Sequence, residues 1–335
     1  MRICLLLIVL ALLPPALLAQ DNLDLDGYQK PDGAISTWYQ GNKVDPYFAT
    51  KALLIASDGG LKIHKQAIAW VEWAIKRQRL DGLFNRYERN LNGGWEQTSA
   101  TDADDAMLAL WIELLYRLAP ARTMAQNWKE SIEKAQVQLA SLYSPEQGIY
   151  YISSSLPVGL LMDNAEIYAA FRKVAEEQRR LGLIDQAQDY DDRADKLGEN
   201  ILRIFSADKD GVYLVSTQSK NAHAFYPDKV ASLFPVLYGI VEKDKGQAIY
   251  RSWMHANGNE WLAQRKDDYP WGLVALTAID EGDEYAASCW QNRAEPMRYS
   301  KHWNVLEETS LQNIKHYLGL HADNTKIACV GGNLS

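Results

Sequence analysis

Cysteine is scarce: three in 335 residues, one of them (Cys4) inside an N-terminal apolar run. A small scaffold stapled by disulfides is therefore excluded. Histidine is scarce too, with six at positions 64, 223, 255, 302, 316 and 321. None falls in an H-x-x-x-H or H-E-x-x-H spacing, so a zinc site lacks a ligand set. Gly-rich phosphate loops, dinucleotide fingerprints, G-x-S-x-G elbows and EF-hand spacings do not occur, and no metal or cofactor is expected. Basic charge is in deficit, 35 Lys and Arg against 43 Asp and Glu, for a net charge of −8. A nucleic acid or an anionic membrane selects basic patches, and neither is an expected partner. Alternating runs are too short for a sheet that organises the chain.

What is present begins with an export signal. Arg2 supplies positive charge, Ile3 to Leu13 is unbroken apolar sequence, Pro14-Pro15 ends it, and Ala19 suits a cleavage site. The reading is a signal peptide over 1–19, a mature chain of residues 20–335, and a periplasmic or secreted destination without stable membrane insertion. Cys289 and Cys329 remain after cleavage. They either pair in an oxidising compartment or stay as two buried thiols. Aromatic supply is skewed, with 11 Trp and 18 Tyr against 6 Phe. Such rings serve as ordinary core, or stack on sugar faces while their polar ends meet hydroxyls.

Helical periodicity dominates. Ala67, Trp70, Val71, Ala74 and Ile75 share one side of a helix over Ile63 to Arg79, and Met107, Leu110, Trp111, Leu114 and Leu118 do the same further on. Helices are also expected over Trp128 to Leu142, Ala165 to Leu181, Gln186 to Phe205, Val230 to Ile240, Gly272 to Ile279, Glu284 to Asn292 and Leu306 to Leu318. A second pattern recurs: Asp81-Gly82-Leu83-Phe84, Gln147-Gly148-Ile149-Tyr150 and Asp210-Gly211-Val212-Tyr213, with glycines 66 and 63 residues apart. Repeats of this length are helix–turn–helix units that stack to bury their faces. Six inner-helix starts, near Asp45, Asp102, Asp163, Asp228, Tyr269 and Asn304, predict an all-α (α/α)6 barrel, six hairpins in a ring with short extended segments in the loops. An open superhelical stack is the alternative.

Four of those starts carry an acid, and parallel inner helices bring them to one end. Capping and the helix dipole alone favour Asp there. Yet Ala100-Thr101-Asp102-Ala103-Asp104-Asp105 holds three aspartates, more than a cap requires, with Asp102 and Asp105 on one face. Glu96, beside Trp95 in a Gly-rich loop, is a further candidate acid. Asp163, Glu166, Glu307 and Glu308 are helix-start acids or peripheral subsite residues. Lys266-Asp267-Asp268-Tyr269-Pro270-Trp271 sets carboxylates beside two rings, and His302-Trp303 precedes the last inner helix.

The stretch Ala100-Thr101-Asp102-Ala103-Asp104-Asp105-Ala106-Met107 resembles the A-[ST]-D-[AG]-D-x-x-[IM] signature of glycoside hydrolase family 8, inverting endo-β-glycanases built as (α/α)6 barrels. Leu108 departs from the family's Ala. Asp81-Gly82-Leu83-Phe84-Asn85-Arg86-Tyr87 is similar to the family's D-G-L-F/L-A-W-R segment. Val44-Asp45-Pro46-Tyr47 stands where the family has its catalytic Glu, and Tyr226-Pro227-Asp228-Lys229 resembles the motif of its base. The resemblance implies Asp45 as general acid, Asp228 as base, and Asp102 holding sugar at the cleavage subsite; Glu96, the loop acid beside Trp95, is the substitute for Asp45. Positions on loops and inner-helix starts at one end make Asp104, Asp105, Trp95, Tyr47, Tyr226, Asp268, Trp271 and Trp303 the expected substrate-binding residues. An Asp is one methylene shorter than the family's Glu, and a misplacement near 1 Å costs on the order of 100-fold.

The expected function is an exported, monomeric glycoside hydrolase that cuts inside a polysaccharide or oligosaccharide. Two other classes stand beside it. A polysaccharide lyase or unsaturated-uronyl hydrolase on the same barrel wants basic groups for a uronate, and the acidic mouth opposes that. A polysaccharide-binding or assembly protein without activity is favoured by Asp at position 45.

Overall fold

The computed structural model describes residues 21–121, 123–206, 212–218, 224–263, 268–320 and 329. Eleven α-helices are present among them: α1 (Pro46–Asp58), α2 (His64–Ile75), α3 (Asp104–Leu118), α4 (Gln126–Ser141), α5 (Leu161–Arg180), α6 (Ile184–Ile204), α7 (Phe234–Leu237), α8 (Lys243–Leu262), α9 (Gly272–Asp280), α10 (Glu284–Ala294) and α11 (Val305–Leu320). The odd-numbered helices pack each on the next, and α11 returns to α1. The ring closes, so the barrel holds and the open stack does not.

Burial explains which helices are inner. In α3 every residue from Asp105 to Tyr116 is buried, as expected of a helix surrounded on all sides. Helix α6 buries only Ala187, Tyr190, Ala194, Leu197, Gly198 and Ile201, a stripe at three- and four-residue spacing. The even-numbered helices form the outer layer, each against an inner neighbour. Over α11 the N-terminal segment takes the outer place: Leu23, Leu25 and Tyr28 are buried, and Asp24 exchanges backbone hydrogen bonds with the Gln312 side chain.

The repeated glycines have a steric cause. Gly82 has φ +89°, and a Cβ there would lie 2.5 Å from the Lys134 carbonyl oxygen of α4. Gly148 has φ +74°, and its Cβ would lie 2.3 Å from the Asn200 side chain of α6. Each linker thus lies against the next outer helix at a point only glycine fits. Asp210 and Gly211 of the third copy lie outside the described residues, as do residues 1–20, His223, Lys266, Asp267 and His321.

Two departures from the sequence pattern follow from proline and glycine. The fourth inner helix, expected over Val230 to Ile240, shrinks to the four residues of α7. Pro235 has no N–H for the carbonyl four residues back. Before α7 the chain makes one irregular turn, Phe225–Lys229, with Tyr226 extended (φ −114°, ψ 135°). Helix α8 buries Gly246, Tyr250, Trp253, Met254, Gly258, Trp261 and Leu262 at three- and four-residue spacing, but glycine at two of those positions hid its twenty residues from the periodicity.

Strands β1 (Lys43–Val44), β2 (Asn85–Arg89) and β3 (Trp95–Ala100) form an antiparallel sheet in that order, with Lys43 opposite Glu88 and Asn85 opposite Ala100. This sheet edges the barrel where α1 and α3 begin. Strands β4 (Tyr143–Ser144) and β5 (Ile149–Tyr150) pair in the next linker. Cys289 and Cys329 are joined, with Cα atoms 5.3 Å apart. Closing a loop of that 40-residue separation contributes about 4 kcal/mol by chain entropy. No helix of the described residues is long and apolar enough to cross a membrane.

Candidate active site

The inner helices run parallel. Their starts contribute Asp45, Asp102 and Tyr269 to one cleft of about 400 Å³, walled also by Trp38, Arg86, Thr98 and Ser99. Their far ends, with Asp58, Tyr238, Asp280 and Tyr317, line a cavity of about 560 Å³ at the opposite pole.

Asp45 is the N-cap of α1 ahead of Pro46, and its Oδ1 accepts from the Tyr47 N–H at 3.1 Å. The same oxygen accepts from the Thr101 hydroxyl at 2.7 Å. Its Oδ2 accepts from Arg86 Nε at 2.6 Å. The guanidinium reaches on with Nη2 to Asp102 Oδ1, also 2.6 Å. One arginine from β2 therefore bridges the carboxylates that open α1 and α3. Asp45 is buried, whereas the Asp102 side chain is 52% exposed. Burial, and then the charge of Asp45, raise Asp102 above the usual carboxylate range, and Arg86 opposes the rise.

Beneath Asp102 the acids continue inward. Asp163, in the first turn of α5, is raised well above its ordinary value by burial and by the charges of Asp105, Glu166 and Asp102. Burial pushes Asp105 up to about 7. Asp105 and Asp163 each keep a buried Oδ2 without a hydrogen-bond partner. Glu166 ends the series, ion-paired with buried Lys51 and accepting from the Tyr47 hydroxyl at 2.9 Å. Asp104 points elsewhere: burial raises it to about 6, and its nearest charges are Arg79 and Asp81.

Aromatic rings line the opposite side of the mouth. Tyr226 stacks on Trp271 with centroids 4.6 Å apart and 25° between planes. Trp271 has φ +56°, a left-handed conformation that strains a bulky residue, and its indole donates to Asp268 Oδ1 at 3.1 Å. Burial, followed by Asp102 and Asp163, pushes the Tyr226 phenol up to about 12. Tyr269 is raised by burial and by Glu307, Asp268 and Asp102, so it too faces the acids. Asp228, buried, accepts from the Ala224 N–H at 3.0 Å in the turn that carries Tyr226. Glu307 accepts from the Gly272 N–H at 2.8 Å, and burial raises it to about 8. Among the described residues no three His, Cys, Asp or Glu are grouped to hold a metal.

Not every expected residue lies here. Trp303 is fully buried, stacked on Trp290 with its indole donating to Glu308, so it belongs to the wall between α10 and α11 and not to a groove. Glu308 takes two hydrogen bonds from one edge of Arg298, Nε and Nη2, and is structural. Glu96 is on strand β3, not in a loop; it accepts from Asn90 at the hairpin tip and does not line the cleft. Trp95 packs edge-on against Trp73 of α2 and donates to Asp32. Tyr47 is turned inward, its hydroxyl committed to Glu166. Arg86 and Lys51 went unassigned from sequence. No motif marked the first, since the D-G-L-F/L-A-W-R segment ends on Arg where this chain has Tyr87; a lone lysine within the apolar Tyr47-Phe48-Ala49-Thr50-Lys51-Ala52-Leu53 was the signal for the second.

No family model and no curated protein sequence matches the chain. Solved structures do, over most of its length. A rhamnosidase from Klebsiella oxytoca superposes with TM-score 0.58 at 11% identity, over 85% of this chain; the chain spans 60% of that protein. A novel α-amylase from Clostridium perfringens gives 0.56 at 13%, covering 87% of this chain and 94% of its own. A GH63 mannosylglycerate hydrolase from Thermus thermophilus, in complex with glucose, gives 0.55 at 10%, covering 87% and 97%. Likeness at such identity establishes the shared fold, the six-hairpin barrel of these glycosidases.

Proposed function

We propose that the chain is an exported glycoside hydrolase, similar in plan to family 8, that cuts within a polysaccharide with inversion and without a cofactor. The observation that carries the reading is the convergence of Asp45, Asp102 and Tyr269 on one cleft, with the Tyr226–Trp271 stack near Asp102. Inverting hydrolysis takes one carboxyl to protonate the leaving oxygen and one to activate water, roughly 6.5–9.5 Å apart. Asp45, Asp102 and Asp228 are the groups from which that pair is drawn. The tilted rings offer flat faces to a pyranose. An acid-rich mouth repels uronates and accepts neutral or cationic sugars. Residues 1–19 support export, and the substrate is a polysaccharide or oligosaccharide met by a monomer.

The test is reducing-end release from carboxymethylcellulose, lichenan, xylan and chitosan. Wild type should cleave at least one, and Asp102→Asn and Asp228→Asn should each lose on the order of 10²–10⁴ in rate while unfolding normally. Near-normal turnover in both variants overturns the assignment. The anomer released first, read by proton NMR, separates inversion from retention. One observation favours a second reading, a polysaccharide-binding protein: both oxygens of Asp45 accept hydrogen bonds, one of them from Arg86, which disfavours a proton at the family's donor position. Titration calorimetry showing oligosaccharide binding with no turnover would select it.

A further inference from the structure

Asp45 and Asp102 share one guanidinium but not one situation. Asp45 accepts three hydrogen bonds, from Tyr47 N–H and Thr101 Oγ1 on one oxygen and from Arg86 Nε on the other. It lies buried at the head of α1 and makes every one of these contacts as an acceptor. Asp102 gives only Oδ1 to Arg86 Nη2. Its Oδ2 makes no hydrogen bond among the described residues, and the side chain is half exposed to the cleft. A general acid must bring a proton to within hydrogen-bond reach of the leaving oxygen. Of the two carboxyl groups, Asp102 alone has an oxygen free to do so.

We propose that Asp102 is the proton donor in this chain and that Arg86 is a positioning residue, its fork fixing Asp102 at the cleft with Asp45 as the buried anchor of the clamp. The proposal rests on the hydrolase reading and departs from the family pattern, in which the residue at position 45 donates. In the step, Asp102 Oδ2–H passes its proton to the glycosidic oxygen as the C1–O bond breaks and the bonding pair leaves with that oxygen as an alcohol. Water adds to C1 from the opposite face and loses its proton to a carboxylate base, for which Asp228, in the turn that carries Tyr226, is the candidate. Exchange with solvent returns Asp102 to the acid and Asp228 to the base.

The groups that face Asp102 set its protonation. From α1 come Asp45, Tyr47 and Lys51; from β2, Arg86; from α5, Asp163; from the turn before α7, Tyr226; and from the segment before α9, Tyr269. Negative neighbours hold the proton on, and Arg86 and Lys51 draw it off. Arg86 therefore limits the rise that burial and Asp45 produce, and removing either member of the clamp moves Asp102 in a predictable direction.

Two measurements test the proposal. Carboxyl ¹³C NMR follows the Asp102 titration in wild type, Arg86→Gln, Arg86→Lys and Asp45→Asn. Arg86→Gln removes a positive neighbour, so the midpoint should rise. Asp45→Asn removes a negative one, so it should fall. Arg86→Lys keeps the charge and loses the fork, so it should titrate near wild type. Movement of Arg86→Gln and Asp45→Asn in the same direction, or of neither, overturns the clamp whatever the activity.

The second measurement compares a polysaccharide that wild type cleaves with a dinitrophenyl glycoside of the same sugar, whose leaving group needs no proton. Asp102→Asn should lose on the order of 100-fold or more on the polysaccharide and retain its rate on the aryl glycoside. Asp45→Asn should lose less than this on the polysaccharide. If Asp45→Asn shows the selective loss and Asp102→Asn loses both substrates, Asp45 is the donor and the proposal is wrong. A wild type inert on every substrate removes the hydrolase reading and the donor role with it, while the titration still decides the clamp.

Discussion

Two arginine bridges mark the two ends of the barrel, and they are close to matched. At the mouth, Arg86 joins buried Asp45 to Asp102 at 2.6 Å on each side. At the far pole, Arg117 joins buried Glu113 to Asp58, the latter at 2.7 Å. Asp102 and Asp58 are each 52% exposed. An arginine shared by a deep and a shallow carboxylate is thus no signature of a site. The difference lies in what surrounds it. Around the far pole the acids that bind basic groups are held by their own or neighbouring helices: Arg172 reaches Asp191 and Asp195, and Arg180 reaches Glu177. Around the mouth Asp105 and Asp163 keep buried oxygens without partners, Glu307 takes backbone N–H, and a stacked pair of rings stands near Asp102. At the far pole Asp280 is likewise raised by burial, to about 6, and Glu281 keeps a buried oxygen without a partner, so it is the stacked rings near Asp102 that set the mouth apart.

The largest stability effect should come from Lys51, the cation that closes the acidic series from below. Its ammonium is buried against Glu166 and the Tyr47 hydroxyl. Lys51→Met leaves Glu166 buried without its cation, and breaking such a pair costs about 3–5 kcal/mol in chemical denaturation. Lys51→Met with Glu166→Leu should recover most of that loss, because neither member of the pair is then left as a stranded charge. If Lys51→Met alone is tolerated, the ion pair does not hold the inner ring, and the contrast between the two ends weakens.

That prediction also shows how far the sequence reaches. The ring of hairpins was readable because outer-helix stripes and the glycines at 82 and 148 repeat for steric reasons that recur in each hairpin. Asp45, Asp102, Asp163 and Asp228 were readable because helix starts are marked by acids, and parallel inner helices gather them. The fourth hairpin was not, since Pro235 breaks its inner helix and Gly246 and Gly258 interrupt the apolar stripe of α8. Partnership was least legible. No spacing joins Arg86 to Asp45, 41 residues away, or Lys51 to Glu166. A tryptophan before a helix reads alike whether it is half-buried against a neighbouring ring, as Trp271 is, or fully buried, as Trp303 is.

The uncompensated acids predict how the mouth responds to pH. Burial raises Glu307 from about 4.5 to about 8 in the folded state. Between these values the folded chain holds a proton that the unfolded chain releases. Stability from this group is fully present below about pH 4.5 and falls as pH rises toward 8. Asp105, raised to about 7, contributes in the same direction from a lower starting point. Glu307→Gln should therefore flatten the decline in melting temperature across that window relative to wild type. A decline of unchanged slope would mean that Glu307 is not held as the neutral acid.

The smallest effect expected is at the far pole, and it makes the comparison sharp. Asp58→Asn changes one oxygen to nitrogen in a setting that matches Asp102 in exposure and in its arginine contact. Arg117, itself only 12% exposed, keeps Glu113, so no buried charge is stranded, and the loss of half-exposed Asp58 costs at most about 1 kcal/mol. Melting temperature should barely move, and turnover on any polysaccharide the wild type cleaves should match wild type. The same chemical change at Asp102 should abolish turnover, again with little change in melting temperature. Equal losses of activity from the two variants would mean that the barrel responds to any broken arginine bridge, and the mouth would lose its claim to the chemistry.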